Sequence, residues 1–361
     1  MYKVNCNQAW WFSRLGVDSG EYILGPMPLA QALTQNAVGE VENLQRKVVP
    51  GVLPSNVLSG DTIYLVRPGS FGDLLLLTPT VKALRLRYPG VAVKVVCHPR
   101  YAPILNGVVD TVGYPVKFED YQQPSNHYFF LEGVLEHPDK ELAGYTYATR
   151  FARACGLDRL DDRKVLYVLT ADEMAWAEDS FPKESGKIRV GVQVRASAEN
   201  RTYHRKRTVE VMAHLLRNRV ADEIYLFGAP GDIDVAWGKA DNLVNLSEKG
   251  LSVRMSVAVA KTCDVMLVPD SLFMHVAGAL DIPALVLSGA FDPSLTQGDQ
   301  KTVQAMKGMG PCRFCNYLPV GGNPFPPGKK CAVELQCSVL NSLSPEIVAH
   351  NLKNILHGKR I

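Results

Sequence analysis

Ile63-Tyr64-Leu65-Val66-Arg67-Pro68-Gly69-Ser70-Phe71-Gly72-Asp73 reads as an apolar strand that runs into a glycine-punctuated elbow and delivers one carboxylate at the mouth of a helix. In a parallel α/β sheet the ligand crevice lies beyond the carboxyl ends of the strands, and Gly69 and Gly72 let the backbone turn sharply and approach a ligand. Asp73 then serves either as a helix N-cap, a position that favours Asp, or as a functional carboxylate in that crevice.

A second strand, loop and helix lies far downstream, in Val265-Met266-Leu267-Val268-Pro269-Asp270-Ser271-Leu272-Phe273-Met274-His275. The apolar strand ends at Pro269. Asp270-Ser271 is a helix start signal, whose open N–H groups and positive dipole end suit a phosphate. His275, a little over one turn later, either faces the same anion or is a core histidine hydrogen-bonded to a neighbour.

Working outward, residues 1–58 carry the aromatic-rich Gln8-Ala9-Trp10-Trp11-Phe12 and turn signals at Gly20, Gly25-Pro26, Gly51 and Pro54, and read as a small, mainly extended accessory unit. From Asp61 to Val168 apolar runs such as Val91 to Val96 alternate with helical patterns such as Val81 to Arg87, the βαβ signature of a parallel sheet. Pro79 either kinks the first helix or marks its true start. A helix is expected from Pro138 to Gly156, where Tyr145, Tyr147, Arg150 and Arg153 either face a ligand or belong to the core. Further strands are expected at Arg189 to Val194, Glu223 to Phe227, Val265 to Val268 and Ala284 to Leu287, with helices between.

A chain of 361 residues with 47% apolar residues forms two or more domains with real cores. The net charge of +3 is too mild to argue for nucleic acid. Met1-Tyr2-Lys3-Val4-Asn5-Cys6 has no apolar signal core, and Lys261 and Asp264 interrupt the run Val257 to Val268 before it reaches a membrane-spanning length. The expectation is a cytoplasmic protein without a transmembrane segment, any contact with the inner membrane being peripheral. Self-association is left open.

Four of the eight cysteines cluster as Cys312-Arg313-Phe314-Cys315, Cys331 and Cys337. This spacing suits a tetrahedral thiolate site for zinc or a single iron, closed and therefore structural. The intervening Pro319, Gly321, Gly322, Pro324, Pro326, Pro327 and Gly328 form a loop with no core of its own, and a metal would supply its order. Reduced thiols or two disulfides are the other reading. A zinc ribbon for nucleic acid is disfavoured, because Arg313, Lys329 and Lys330 are the only basic residues in the loop. Cys6, Cys97, Cys155 and Cys263 read as ordinary buried thiols.

RPGSFGDLLLLTPTVKALRLRYP from Arg67, VGVQVRAS from Val190 and SVAVAKTCDVMLVPDSLFMHVAGALDIPALVLSGAFDP from Ser256 resemble, in order and spacing, the heptosyltransferases of lipopolysaccharide synthesis, glycosyltransferase family nine. The resemblance covers about residues 59 to 356. It implies a GT-B architecture, an α/β fold of two Rossmann-like domains facing across a cleft. The expected division is an accessory unit at 1–58, an acceptor domain at 59–180, a donor domain at 181–345 that includes the cysteine-rich loop 311–338, and a C-terminal helix at 346–361. It implies that Asp73 is the general base, and that Asp270, Ser271, His275, Gly289 and Asp292 contact the donor. The family's basic residue for the donor phosphates falls on Arg201 or Lys206; Arg205 to Arg207 also read as a solvated surface run. The chain departs from the family here, with Arg195-Ala196-Ser197 where relatives carry Pro-Gly-Ala-Ser. A similar cysteine group marks the autotransporter-modifying branch, where it binds iron.

The resemblance thus implies an inverting transfer from a nucleoside-diphosphate sugar, ADP-heptose being the usual donor, to a hydroxyl on a lipopolysaccharide core or a protein. Asp73 would take the proton. The helix start at Asp270-Ser271, with Arg201 or Lys206, would stabilise the leaving diphosphate without a catalytic metal. The rival reading is a catalytically silent nucleotide-sugar binder or scaffold of the same fold.

Overall fold

The computed structural model describes residues 2–6, 20–24, 41–43, 56–135, 142, 144–234, 237, 240–297, 300–310, 313–315 and 337–361. The chain divides into two compact units, Met1–Val168 and Leu169–Ile361.

The first unit holds β1 (Tyr2–Cys6), β2 (Gly20–Leu24), β3 (Val41–Asn43), β4 (Thr62–Val66), β5 (Ala92–Cys97), β6 (Asp110–Gly113), β7 (Val116–Lys117) and β8 (Asn126–Phe130). A parallel sheet has the order β6-β5-β4-β8. Its order reverses between β4 and β8, so the crevice at their carboxyl ends is the ligand position of a doubly wound sheet. Strands β1 to β3 join β7 in a separate antiparallel sheet, β3-β1-β2-β7. Strand β2 is thereby stitched to residues 116–117. Ile63, Leu65 and Val66 of β4 and Val93, Val95 and Val96 of β5 are buried, as the near-continuous apolar runs of a covered parallel sheet require.

Helix α1 (Phe71–Arg87) follows β4. Its N-cap is Ser70, not Asp73, which occupies the third helical position. There the Asp73 Oδ2 accepts the Ser70 backbone N–H at 3.0 Å, the reciprocal half of a capping box. Gly72 lies inside the first turn, so the elbow itself is residues 67–70. Gly69 is dictated by packing, because a Cβ there would sit 2.5 Å from Tyr101 Cε2. Pro79 neither starts nor ends α1. The Leu75 carbonyl, which the missing N–H of Pro79 leaves without its helical donor, accepts the Thr78 hydroxyl at 2.7 Å, and the same hydroxyl accepts the Leu166 N–H at 2.8 Å. Leu74 to Val81 and Leu84 are buried, each leucine contributing about 1.5–3 kcal/mol before entropy is set against it.

After the short α2 (Phe118–Gln122) comes α3 (Tyr147–Ala154), which packs on α1. It is shorter than the helix expected over 138–156, because the Thr146 side chain caps it at Thr149 N and Gly156 leaves it with φ of 81°. Residues 136–141 and 143 lie outside the described residues. Tyr147 and Arg150 are buried and the Arg150 guanidinium lies 4.9 Å from the Tyr147 ring centroid, so the core reading of that stripe holds for these two.

The second unit contains β9 (Arg189–Gln193), β10 (Glu223–Phe227), β11 (Leu243–Asn245), β12 (Val265–Pro269), β13 (Ala284–Ser288) and β14 (Val303–Lys307). Their parallel order is β11-β10-β9-β12-β13-β14, the strand order of a dinucleotide-type doubly wound sheet, with the switch point between β9 and β12. Its helices are α4 (Ala171–Ser180), α5 (Arg205–Arg217), α6 (Val253–Lys261), α7 (Leu272–Ala279), α8 (Pro293–Thr296), α9 (Ser338–Asn341) and α10 (Pro345–Leu356). Val211, Met212 and Leu215 of α5 and Val348, Leu352 and Ile355 of α10 close one core over β9, β10, β12 and β13.

A fully buried Arg189 staples the start of β9. It donates from Nε to Glu223 Oε2 at 2.9 Å, from Nη1 to Phe181 O at 3.0 Å and Thr262 Oγ1 at 2.8 Å, and from Nη2 to Pro182 O at 2.9 Å, over the Tyr225 ring at 4.2 Å. Among the described residues no helix is long and apolar enough to cross a membrane.

Candidate active site

Each unit carries a polar cluster at the carboxyl ends of the strands flanking its switch point. In the first unit the cluster is built on the β4 elbow. The backbone of Arg67 is fixed by its N–H to Val96 O at 3.0 Å, and its buried side chain donates from Nη2 to Asp73 Oδ2 at 2.6 Å and from Nη1 to Leu131 O, just past β8, at 3.3 Å. Asp73, with 23% of its side chain exposed, is thus anchored through one oxygen while still reaching solvent.

In the second unit the loops after β9, β12 and β13 converge. Ser271 is the N-cap residue of α7, but its hydroxyl donates to Gln193 Oε1 at the end of β9, 2.8 Å away, across the switch point. The Ser271 side chain makes no cap hydrogen bond; of the first-turn N–H groups that of Met274 donates back to the Ser271 carbonyl at 3.1 Å, and the positive dipole end of the helix suits an anion. Arg201 donates from Nη1 to the Asp270 carbonyl at 3.2 Å and from Nη2 to Ser197 Oγ, and its guanidinium lies 5.3 Å from the Phe291 ring centroid. Its charge is therefore held beside that helix start. Lys206 is exposed in the first turn of α5, between Arg205, which pairs with Asp234 at 3.1 Å, and Arg207, which donates to Leu343 O at 3.3 Å. Of the two candidate cations, Arg201 is the one that touches the β12 loop.

Asp270 is buried, and its Oδ2 accepts the Thr296 hydroxyl at 2.8 Å. Asp292 in turn caps α8, which carries Thr296, by accepting Ser294 N at 3.0 Å, and it lies 3.4 Å from Lys307 Nζ. Burial pushes the Asp270 carboxyl up to about 6, against the lowering effects of Thr296 and Arg201. For Asp292 burial acts upward too, but Ser294 and Lys307 outweigh it and hold the group below the usual carboxylate range. His275 is buried in α7, with its Nδ1 3.3 Å from Gln300 Nε2, behind the helix start and within the core.

A raised acid pKa in the folded state stabilises fully below the unfolded value near 3.8, and that stability is lost as the pH rises through about 6. Asp270→Asn should therefore melt higher than the wild-type protein at pH 7.5, with the gap closing below pH 5. Melting curves of both proteins across this range check it, and a variant that melts lower at pH 7.5 would mean that the ionised carboxylate is stabilising.

Gly289 has no room for a side chain: a Cβ would lie 2.9 Å from Leu340 Cγ and 3.3 Å from Cys337 Sγ. Its carbonyl accepts the Phe314 N–H at 2.8 Å, so Cys315, the next residue, and Cys337 approach the same loop, both buried. Cys312 and Cys331 lie outside the described residues, as does most of the loop between them. Among the described residues no group of three or more His, Cys, Asp or Glu side chains is placed to hold a metal. Cys97, Cys155 and Cys263 are buried thiols whose pKa values burial raises, to about 12 for Cys97 and Cys263. The side chain of Cys6 lies outside the description.

Gln193, Ser197, Phe291, Thr296 and Arg67 were not singled out from the sequence. The available signal was positional, since Gln193 and Arg67 are polar residues that end or directly follow apolar strands.

No protein-family model and no curated protein matches the chain. Solved structures do. A glycosyl transferase family 9 protein from Veillonella parvula superposes with a TM-score of 0.64 at 14% identity, over 84% of this chain and 99% of its own. The Escherichia coli ADP-heptose lipopolysaccharide heptosyltransferase II gives 0.59 at 15%, over 82% and 99%. TibC of enterotoxigenic E. coli, an iron-containing dodecameric glycosyltransferase, gives 0.58 at 13%, over 88% and 79%. At these identities the likeness is one of fold: this chain has a mixed α/β fold with parallel sheets, similar to the GT-B glycosyltransferases.

Proposed function

We propose that this chain is an inverting glycosyltransferase of the heptosyltransferase kind, with the acceptor side of its chemistry on the first unit and the donor side on the second. It moves heptose from ADP-heptose to a hydroxyl on lipopolysaccharide or protein. The observation that carries the reading is Arg201 held beside the start of α7 at the switch point of the second sheet, a cation next to the positive end of a helix dipole, the pairing that suits a diphosphate. The fold shared with enzymes named for ADP-heptose supports the choice of donor.

In this reading the acceptor oxygen attacks the anomeric carbon from the face opposite the diphosphate, and Asp73 takes the hydroxyl proton. The bond from that carbon to the diphosphate breaks, and its electron pair stays on the leaving oxygen. Arg201 and the N–H groups of α7 meet the charge that develops there, so protein groups do the work a metal does elsewhere. Ser271, Asp270, His275, Gly289 and Asp292 form the donor-binding set, the buried members acting by fixing the loops. Lys206 is the second candidate for the diphosphate.

Titration of the protein with ADP-heptose, followed by thermal denaturation, tests the function. At 100 times the dissociation constant a bound ligand adds about 2.7 kcal/mol of stability. Stabilisation by another nucleotide sugar alone would keep the class and change the donor. A flat response to a panel of nucleotide sugars would overturn the reading.

Cys312, Cys315, Cys331 and Cys337 hold a structural zinc or iron in the same proposal, supported by the Cys337 thiol beside Gly289 and by the backbone bond from Phe314, next to Cys315, to the same glycine. About one equivalent of metal is expected by elemental analysis of protein prepared without chelator, and Cys315→Ser should abolish it and expose the loop to protease before either sheet unfolds. Less than about a tenth of an equivalent would leave thiols or disulfides.

A further inference from the structure

We propose that Arg67 is the positioning residue of the acceptor site: its guanidinium fork clamps one oxygen of Asp73 and the end of β8 together, so that the other oxygen of Asp73 is the one presented to the acceptor hydroxyl. The inference rests on the reading of Asp73 as the general base.

Burying a guanidinium costs several kcal/mol in lost hydration, and an apolar side chain of similar volume would fill such a space at no penalty to the fold. Arg67 is nonetheless 4% exposed, at the end of an apolar strand. The cap of α1 does not require it, because the capping box is complete with the Ser70 N–H on Asp73 Oδ2. What Arg67 adds is a second donor on that same oxygen at 2.6 Å, while its other terminal nitrogen reaches Leu131 O at 3.3 Å and its Cζ lies 5.8 Å from the Phe151 ring centroid. The fork thereby ties the β4 elbow to the β8 end and to α3 around one carboxylate oxygen. Two donors on Oδ2 stop the carboxylate from rotating and commit that oxygen, and a charge-assisted contact of this length is among the stronger single restraints available. A lysine has the charge but not the planar fork, and it cannot serve Asp73 and Leu131 together.

The test compares Arg67→Met, Arg67→Lys, Asp73→Asn and the Arg67→Met/Asp73→Asn double variant with the wild-type protein. ADP release from ADP-heptose is measured with heptose-deficient lipopolysaccharide as acceptor, and each variant's fold is checked by circular dichroism. Arg67→Met is expected to lower kcat about 100-fold, the scale of a misplaced catalytic group, with the acceptor KM and the affinity for ADP unchanged. Arg67→Lys should fall between, and it keeps the test open if Arg67→Met does not fold. Because Arg67 acts through Asp73, the double variant should be no slower than Asp73→Asn alone, within about threefold.

A folded Arg67→Met, or an Arg67→Lys variant standing in for it, with kcat within threefold of wild type overturns the proposal while leaving the base intact. So do losses that multiply in the double variant. An active wild type whose Asp73→Asn variant is equally fast removes the base and the proposal with it. A wild type that releases no nucleoside diphosphate from any of a panel of nucleotide sugars, with either a lipopolysaccharide or a protein acceptor, removes the functional reading on which both stand.

Discussion

Asp73→Asn should slow sugar transfer by about 100-fold or more while leaving nucleotide-sugar affinity nearly unchanged. The substitution is isosteric, and its side-chain oxygen can still accept the Ser70 N–H that completes the capping box. What it removes is the negative charge beside Arg67 and the capacity to take a proton. Leaving a buried guanidinium without its counter-charge also costs stability, so rates must be read at a temperature where the variant is folded. Single-turnover transfer and donor titration on the same preparation give the answer. A rate within about tenfold of wild type would remove Asp73 from the chemistry, since positioned general bases contribute ~100-fold or more.

The largest expected loss of stability is at Arg189. Arg189→Ala should destabilise the second unit by about 3–5 kcal/mol, because it leaves the Glu223 carboxylate, the Phe181 and Pro182 carbonyls and the Thr262 hydroxyl without the donor they share. The position starts β9, the central strand from which the sheet order departs in both directions. Chemical denaturation followed at the unit's own tryptophans checks the figure. A loss below about 1 kcal/mol would mean that water satisfies these acceptors as well as the guanidinium does.

Strands were legible because burial on both faces forces long apolar runs: the expected 189–194, 223–227, 265–268 and 284–287 match the observed strands to within a residue at each end. The loops of the candidate site were legible for the same reason, since a ligand in a doubly wound sheet meets the strand ends. The partners that fix those loops were not. Ser271 meets Gln193, Asp270 meets Thr296, and Arg67 meets Leu131, contacts set by which strands lie side by side and not by local spacing. Helix ends were misread where one side chain decides them: Ser70 outcompetes Asp73 as cap, and Thr146 starts α3 well after Pro138. The pairing of β2 with β7 joins residues more than 90 positions apart, and no composition signal announces it.

The Thr78 hydroxyl makes positions 78 and 79 a single inherited character. It donates to the carbonyl that Pro79 leaves without an amide and accepts the Leu166 N–H from a distant segment. A lineage that lost the hydroxyl first would leave a buried carbonyl and a half-buried amide unmatched at once, whereas one that lost the proline first would restore an ordinary helical donor and keep the tether to residue 166. Descent through this helix therefore has a preferred direction: the proline is free to drift only while the threonine, or a serine in its place, stays.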